Sequence, residues 1–86
     1  RGAAPNTLAA YRRDLEDYAA FLSHSGTPLL AARPQSIAAY LKAAAASGLA
    51  ATSRARRLSS IRQLYRFLAA DGAIADDPTI GFAGPR

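Results

Sequence analysis

The sequence contains no cysteine and no methionine, and only one histidine. Without cysteine, neither a disulfide nor a thiolate metal site can staple the chain. Without methionine there is no natural start, so the sequence reads as a piece of something longer. His24 has no second ligand or catalytic partner near it in sequence. A helix C-terminus, where the dipole favours a partly positive imidazole, accounts for it. A phosphate-cradling glycine loop and a nucleophile elbow are also missing. Asp76 and Asp77 stand directly before Pro78 and read as a turn and cap rather than as a carboxylate pair. These absences together predict a fragment that is not an enzyme and holds no metal and no cofactor. Long hydrophobic runs are lacking as well. The apolar stretches are short and alanine-rich, well below the roughly 18 residues of a spanning helix, so no membrane segment or signal peptide is expected and a cytoplasmic location is the default.

What is present is a short, basic, alanine-rich chain. Its 86 residues suit a single domain over 1–86. Such a domain buries only about 60% of the surface its unfolded chain exposes, so each long apolar side chain should be needed. Lysine and arginine number 11 against 6 acids, for a net charge of +5, and the sequence pI is near 10.5. That balance favours a polyanionic partner.

Hydrophobic spacing predicts helices throughout. Leu8, Tyr11, Leu15, Tyr18 and Leu22 recur every three or four residues, which is one apolar stripe. This helix should run over about 7–24, capped by Asn6 or Thr7 and ended at Ser25-Gly26. A loop follows, with Leu29 and Leu30 tucked into the core. Ile37, Tyr40, Leu41 and Ala44 mark a second helix over about 36–47, stopped by Gly48. A third, capped by Thr52 or Ser53, should span about 52–70, with Leu58, Ile61, Leu64, Tyr65 and Leu68 buried and Phe67 at the edge. Asp71-Gly72 ends it. A short fourth element over about 77–82 should bring Ile74, Ile80 and Phe82 beneath the core, and residues 83–86 read as the start of a linker. The four tyrosines fall on apolar stripes and are assigned to packing. No strand pattern survives. The fold class is therefore all-α, a compact bundle of three long helices plus a short fourth.

Charge is distributed unevenly over these helices. The third carries Arg54, Arg56, Arg57, Arg62 and Arg66 and no acid. Five like charges on about five turns repel one another, and those near the N-terminus also oppose the helix dipole. The placement suits phosphate binding, with Thr52, Ser53, Ser59 and the first free N–H groups as further donors. The competing reading is a solvated basic face whose arginine stems cover apolar surface. On the first helix, Arg12 and Arg13 are open either to a DNA role or to local pairing, Arg12 with Glu16 and Arg13 with Asp17. Arg33 and Lys42 read as isolated surface charges.

Three segments then match a known pattern. Asn6-Thr7-Leu8 with Tyr11-Arg12-Arg13-Asp14-Leu15 resembles the opening helix of Xer-type tyrosine recombinases and phage integrases. Thr52-Ser53-Arg54-Ala55-Arg56-Arg57-Leu58-Ser59-Ser60-Ile61-Arg62, followed by Leu64-Tyr65 and Phe67-Leu68, is similar to a later helix of the same family. Asp76-Asp77-Pro78-Thr79 resembles its acidic turn before the interdomain linker. The resemblance implies a SAM-like core-binding domain that forms one half of a C-shaped clamp on double-stranded DNA. A catalytic domain, which would begin beyond residue 86, forms the other half. Family members cleave one strand with a tyrosine, leave a 3′-phosphotyrosyl link and exchange strands in a tetramer through a Holliday junction. Their catalytic arginines, lysine, histidines and tyrosine belong to that other domain, so no residue of this chain takes those roles.

By position, the resemblance implies DNA contacts from Asn6, Thr7, Arg12 and Arg13 at the first helix. At the third it implies Thr52, Ser53, Arg56 and Ser59, with Arg62 as a backbone contact; Arg54 and Arg57 are additional to the family pattern and are expected to bind phosphates. Arg56 is the candidate to reach a base edge, where arginine commonly reads guanine. The parent would be a nucleoid-associated bacterial or phage recombinase whose protomers assemble on DNA, the isolated fragment being a monomer. The alternative function is a helical protein-interaction module that docks an acidic partner through the arginine-rich third helix.

Overall fold

The computed structural model describes the backbone of residues 5–80 and the side chains of residues 9–80. Three helices account for most of it: α1 (Pro5–Ser25), α2 (Pro34–Ala46) and α3 (Ala51–Ala70). A single 3₁₀ turn, Leu29–Ala31, lies between α1 and α2. There is no strand among the described residues. Each helix is longer at its start than the capping signals suggest. Pro34 opens α2 because its fixed φ and missing N–H suit the first helical position, and the backbone N–H of Arg33 donates to Ser36 Oγ at 3.2 Å. Ala50, not Thr52 or Ser53, precedes α3, and no side chain caps that end.

The early start of α3 follows from how α2 stops. At the C-terminus of α1, Gly26 takes φ 74°, Thr27 N–H bonds Leu22 O at 3.0 Å and Gly26 N–H bonds Ser23 O at 3.1 Å. This is the paired closure that a left-handed glycine permits. The same closure recurs at Gly48, where Leu49 N–H reaches Ala44 O at 3.1 Å. Leu49 is thereby fixed to the end of α2. Only Ala50 remains to redirect the chain, so Thr52 and Ser53 fall inside the helix.

The core is one cluster built from Tyr18, Leu22, Ile37, Tyr40, Leu41, Leu58, Ile61 and Tyr65, with Leu15, Phe21, Leu29, Leu68 and Ile74 packed against it. Most of each apolar stripe meets there, but Leu64 and Tyr11 are only half-buried and outside the cluster, Phe67 is exposed, and the side chain of Leu8 lies outside the described residues. Two expectations need correction. Leu30 and Ile80 are exposed rather than buried, because only one of two consecutive residues in the tight turn at 29–31 can face inward. The fourth segment is a turn over 78–80. Asp77 Oδ1 accepts both the Thr79 N–H at 2.8 Å and the Thr79 hydroxyl at 2.6 Å, and the Asp77 carbonyl accepts the Ile80 N–H at 3.2 Å, so Asp77 caps this turn ahead of Pro78. Phe82 and the expected linker at 83–86 lie outside the described residues.

Three tyrosines carry polar bonds through this core. Tyr65 donates to the Leu29 carbonyl at 2.8 Å. Its single proton is thus committed, so Tyr18, whose oxygen is 2.8 Å from that of Tyr65, must be the donor in their contact. Tyr40 packs edge-on against Tyr18 at 5.2 Å and Phe21 at 5.4 Å between ring centroids, the preferred aromatic geometry. Burial raises the pKa of all three phenols, that of Tyr40 to about 12. A neutral phenol whose pKa is raised on folding stabilises fully below its unfolded value and loses that contribution as pH climbs towards the folded value. The melting temperature should therefore hold up to about pH 10 and fall steeply above it, with tyrosinate absorbance for these three residues appearing together with loss of helical circular dichroism. If Tyr18, Tyr40 and Tyr65 ionised in the ordinary range while the helices stayed intact, the buried arrangement would be refuted.

Candidate nucleic-acid interface

Asp14 and Ser60 are buried polar residues at the contact of α1 with α3. Asp14 is 1% exposed and accepts hydrogen bonds from two residues of α3. Arg56 grips it side-on, Nε to Oδ2 at 3.0 Å and Nη2 to Oδ1 at 2.8 Å. Ser60 Oγ lies 3.2 Å from Oδ2 and 3.2 Å from the Arg56 carbonyl, its one proton serving both acceptors. Arg57 Nε lies 3.6 Å from Oδ1, an ion pair without a hydrogen bond. The partner pairs Asp14–Arg56, Asp14–Ser60 and Tyr18–Tyr65 ascend together in both helices. Residues 14–18 of α1 thus meet residues 56–65 of α3, so the two helices cross at this polar contact.

A second knot sits beside the first. Tyr40 of α2 donates to Asp17 Oδ2 at 2.7 Å, and Arg57 Nη1 donates to both Asp17 Oδ2 and the Tyr40 hydroxyl. Two carboxylates of α1 thus meet two guanidiniums of α3, with a phenol of α2 between them. The Asp14 hydrogen bond is the largest influence raising the Arg56 pKa, and the Tyr40 hydrogen bond the largest raising that of Arg57. The repulsion expected along α3 is offset in part from within the fold.

The predicted contact residues divide accordingly. Thr52, Ala55, Arg56, Ser59, Gln63 and Arg66 are exposed on one face of α3, and Arg62 is half-buried beside them. No carboxylate belongs to that face. Ser53 and Arg54 are half-buried, and Arg54 Nη1 donates to the Leu49 carbonyl at 2.5 Å, bracing the turn before its own helix. Arg57, expected as a phosphate contact, is turned inward: its side chain is only 19% exposed and its Nη1 donates to Asp17 and Tyr40. On α1, Arg12 pairs with Glu16 at 3.2 Å. Arg13 is exposed and does not pair with Asp17, whose Oδ2 is taken up by Tyr40 and Arg57. The side chains of Asn6 and Thr7 lie outside the described residues.

A family model of the phage integrase N-terminal SAM-like domain matches residues 1–72. The chain belongs to this family. Among curated relatives, the tyrosine recombinase XerD of Agrobacterium fabrum is 52% identical over 86 residues, covering all of this chain and 26% of its own length. XerD of Rhizobium meliloti is 52% identical over 79 residues, covering 92% of this chain and 25% of its own length. XerD of Caulobacter vibrioides is 46% identical over 86 residues, all of this chain and 28% of its own length. The chain spans about a quarter of the length of these relatives. No solved structure matches it.

Spacing alone missed Asp14 as the centre of this integrase SAM-like domain's polar knot. The signal was present. Asp14 stands three residues after Tyr11 and four before Tyr18, on the apolar stripe, and an acid there needs a partner from another element. Arg57 likewise stands four residues before Ile61, on the buried face of α3. The magnitudes differ accordingly. Asp14→Ala leaves the Arg56 fork without its acceptor and Arg57 without one of its ion-pair partners and should cost about 3 kcal/mol, while Glu16→Ala on the exposed α1 pair should cost less than about 0.5 kcal/mol. Urea denaturation of the two variants checks the ranking; equal losses would remove Asp14 from the centre of the fold.

Proposed function

We propose that this domain is the DNA-binding half of a clamp in a site-specific tyrosine recombinase. The observation that carries the reading is the outward face of α3. Thr52, Arg56, Ser59, Gln63 and Arg66, with the half-buried Arg62 between them, carry guanidinium, hydroxyl and amide donors along about four turns with no carboxylate among them. Such a row matches the phosphates and base edges of a duplex groove. The uncapped start of α3 adds backbone N–H groups that suit a phosphate. On α1, the exposed Arg12 and Arg13 immediately precede Asp14, the partner of Arg56, and add positive charge near that row, with Asn6 and Thr7 as further candidate contacts. The net charge of +5 supports non-specific attraction to DNA.

In the whole protein, this domain would hold a recombination half-site against the catalytic domain, which supplies the strand cleavage. Partner protomers would meet it on the DNA, in the cytoplasm, as a tetrameric synapse. The fragment itself supplies affinity and position and no chemistry.

Fluorescence anisotropy of a labelled duplex across a salt series tests this, with the chain compared with an Arg62→Ala, Arg66→Ala double variant. Binding should weaken with salt, and the magnitude of the log–log slope should drop by about 0.9 for each phosphate contact removed. Unchanged binding and slope in the double variant would exclude this face. Failure of the chain, and of the full-length protein, to hold any duplex at low salt would favour the docking of an acidic protein.

A further inference from the structure

We propose that Asp14 is a positioning residue that presents Arg56 to a guanine, so that a residue with no access to DNA sets part of the base preference. The inference rests on the DNA-binding reading above and deepens it.

A guanidinium has five N–H donors in a fixed planar fork. Asp14 takes the side edge of Arg56, one N–H from Nε and one from Nη2. The terminal edge, made of Nη1 and the second N–H of Nη2, remains. The Arg56 side chain is still 49% exposed, so that edge is open to a ligand. The carboxylate behind it is itself held fast. It is buried, bonded by Ser60 Oγ at 3.2 Å and flanked by Arg57 Nε at 3.6 Å. Arg56 is therefore ordered before any duplex arrives, and its remaining fork has one preferred direction. Preorganisation of this kind removes an ordering cost that a loose arginine meets on binding.

Charge decides between the two pairs of acceptors that such a fork fits. A phosphate is drawn by net positive charge, yet the Asp14 carboxylate cancels most of the charge of Arg56 and repels an anion placed beyond it. The O6 and N7 atoms of guanine are a neutral acceptor pair in the major groove. They need the fork's geometry and not its charge. Arg56 is thus suited to base reading, whereas Arg66 on the same face, with no carboxylate of α1 bonded to it, is suited to the backbone.

The test uses a pool of duplexes randomised over about one helical turn, roughly 10 base pairs, selected by the chain at low salt and sequenced. The wild type should enrich guanine about tenfold at one position, within the range a bidentate contact supports. Arg56→Lys keeps the charge but loses the fork, and should abolish that enrichment with little change in salt slope. Asp14→Asn, with its fold checked by circular dichroism, should reduce the enrichment severalfold and steepen the salt slope by up to about 0.9, because the released guanidinium turns to phosphate. A merely structural Asp14 would weaken binding to all sequences alike and leave both readouts unmoved. Wild-type enrichment retained in a folded Asp14→Asn variant, or in Arg56→Lys, overturns the proposal. Duplex binding by the wild type without guanine enrichment overturns it too and leaves the DNA-binding reading standing. No binding by the wild-type chain, nor by the full-length protein in the same selection, overturns both.

Discussion

A carboxylate removed from water must be met by donors, and in this domain the donors arrive from the other end of the chain. Asp14 draws Arg56, Ser60 and the edge of Arg57 onto α1. Oily contact alone would let two helices slide along each other by a turn at modest cost. A buried charge would lose its partners in such a slide, and the penalty for an unpaired charge in low dielectric is several-fold that of a lost apolar contact. The register of α1 on α3 is fixed by this contact. Everything offered by the outward face of α3 inherits its position from that register.

The second helix is fastened to the same place by a different route. Tyr40 packs its ring among Tyr18 and Phe21 while its hydroxyl sits between Asp17 and Arg57. One residue therefore joins the apolar core to the charged knot. A domain this small has little apolar surface to spare, and residues that serve both layers compensate for that. The helix ends follow a single plan, with a glycine in the left-handed region at 26, 48 and 72. Connections stay short, and the chain turns back without exposing its last carbonyls.

Much of this architecture was readable from spacing. The stripes of α1, α2 and α3 located the core residues, because helical period and burial are tied directly to each other. The glycine stops were also readable, since few residues take positive φ without strain. Other features depended on contacts between elements and were hidden. The start of α3 was set by the closure at Leu49 and not by the hydroxyls of Thr52 and Ser53. The fate of Arg57 depended on Asp17 and Tyr40, far away in the chain. Arg13 and Asp17 stand at the ideal spacing for a pair, yet Asp17 bonds across the bundle instead, where partial burial makes its interaction stronger. The candidate interface was legible as a list of basic residues. Which of them are held inward and which face outward was not.

The direction of the bond between Tyr18 and Tyr65 makes this core unequal in what it will tolerate over evolutionary time. Tyr65 both donates to the Leu29 carbonyl and accepts from Tyr18, whereas Tyr18 only donates. Drift of Tyr18 to phenylalanine strands no donor and leaves the Tyr65 bond to the turn intact. The same drift at Tyr65 leaves the Tyr18 hydroxyl without an acceptor and the Leu29 carbonyl with only its 3.4 Å contact to Ala32 N–H. Two rings of the same kind, side by side in one core, are thus under different selection, and descendants of this sequence should lose the first hydroxyl more readily than the second.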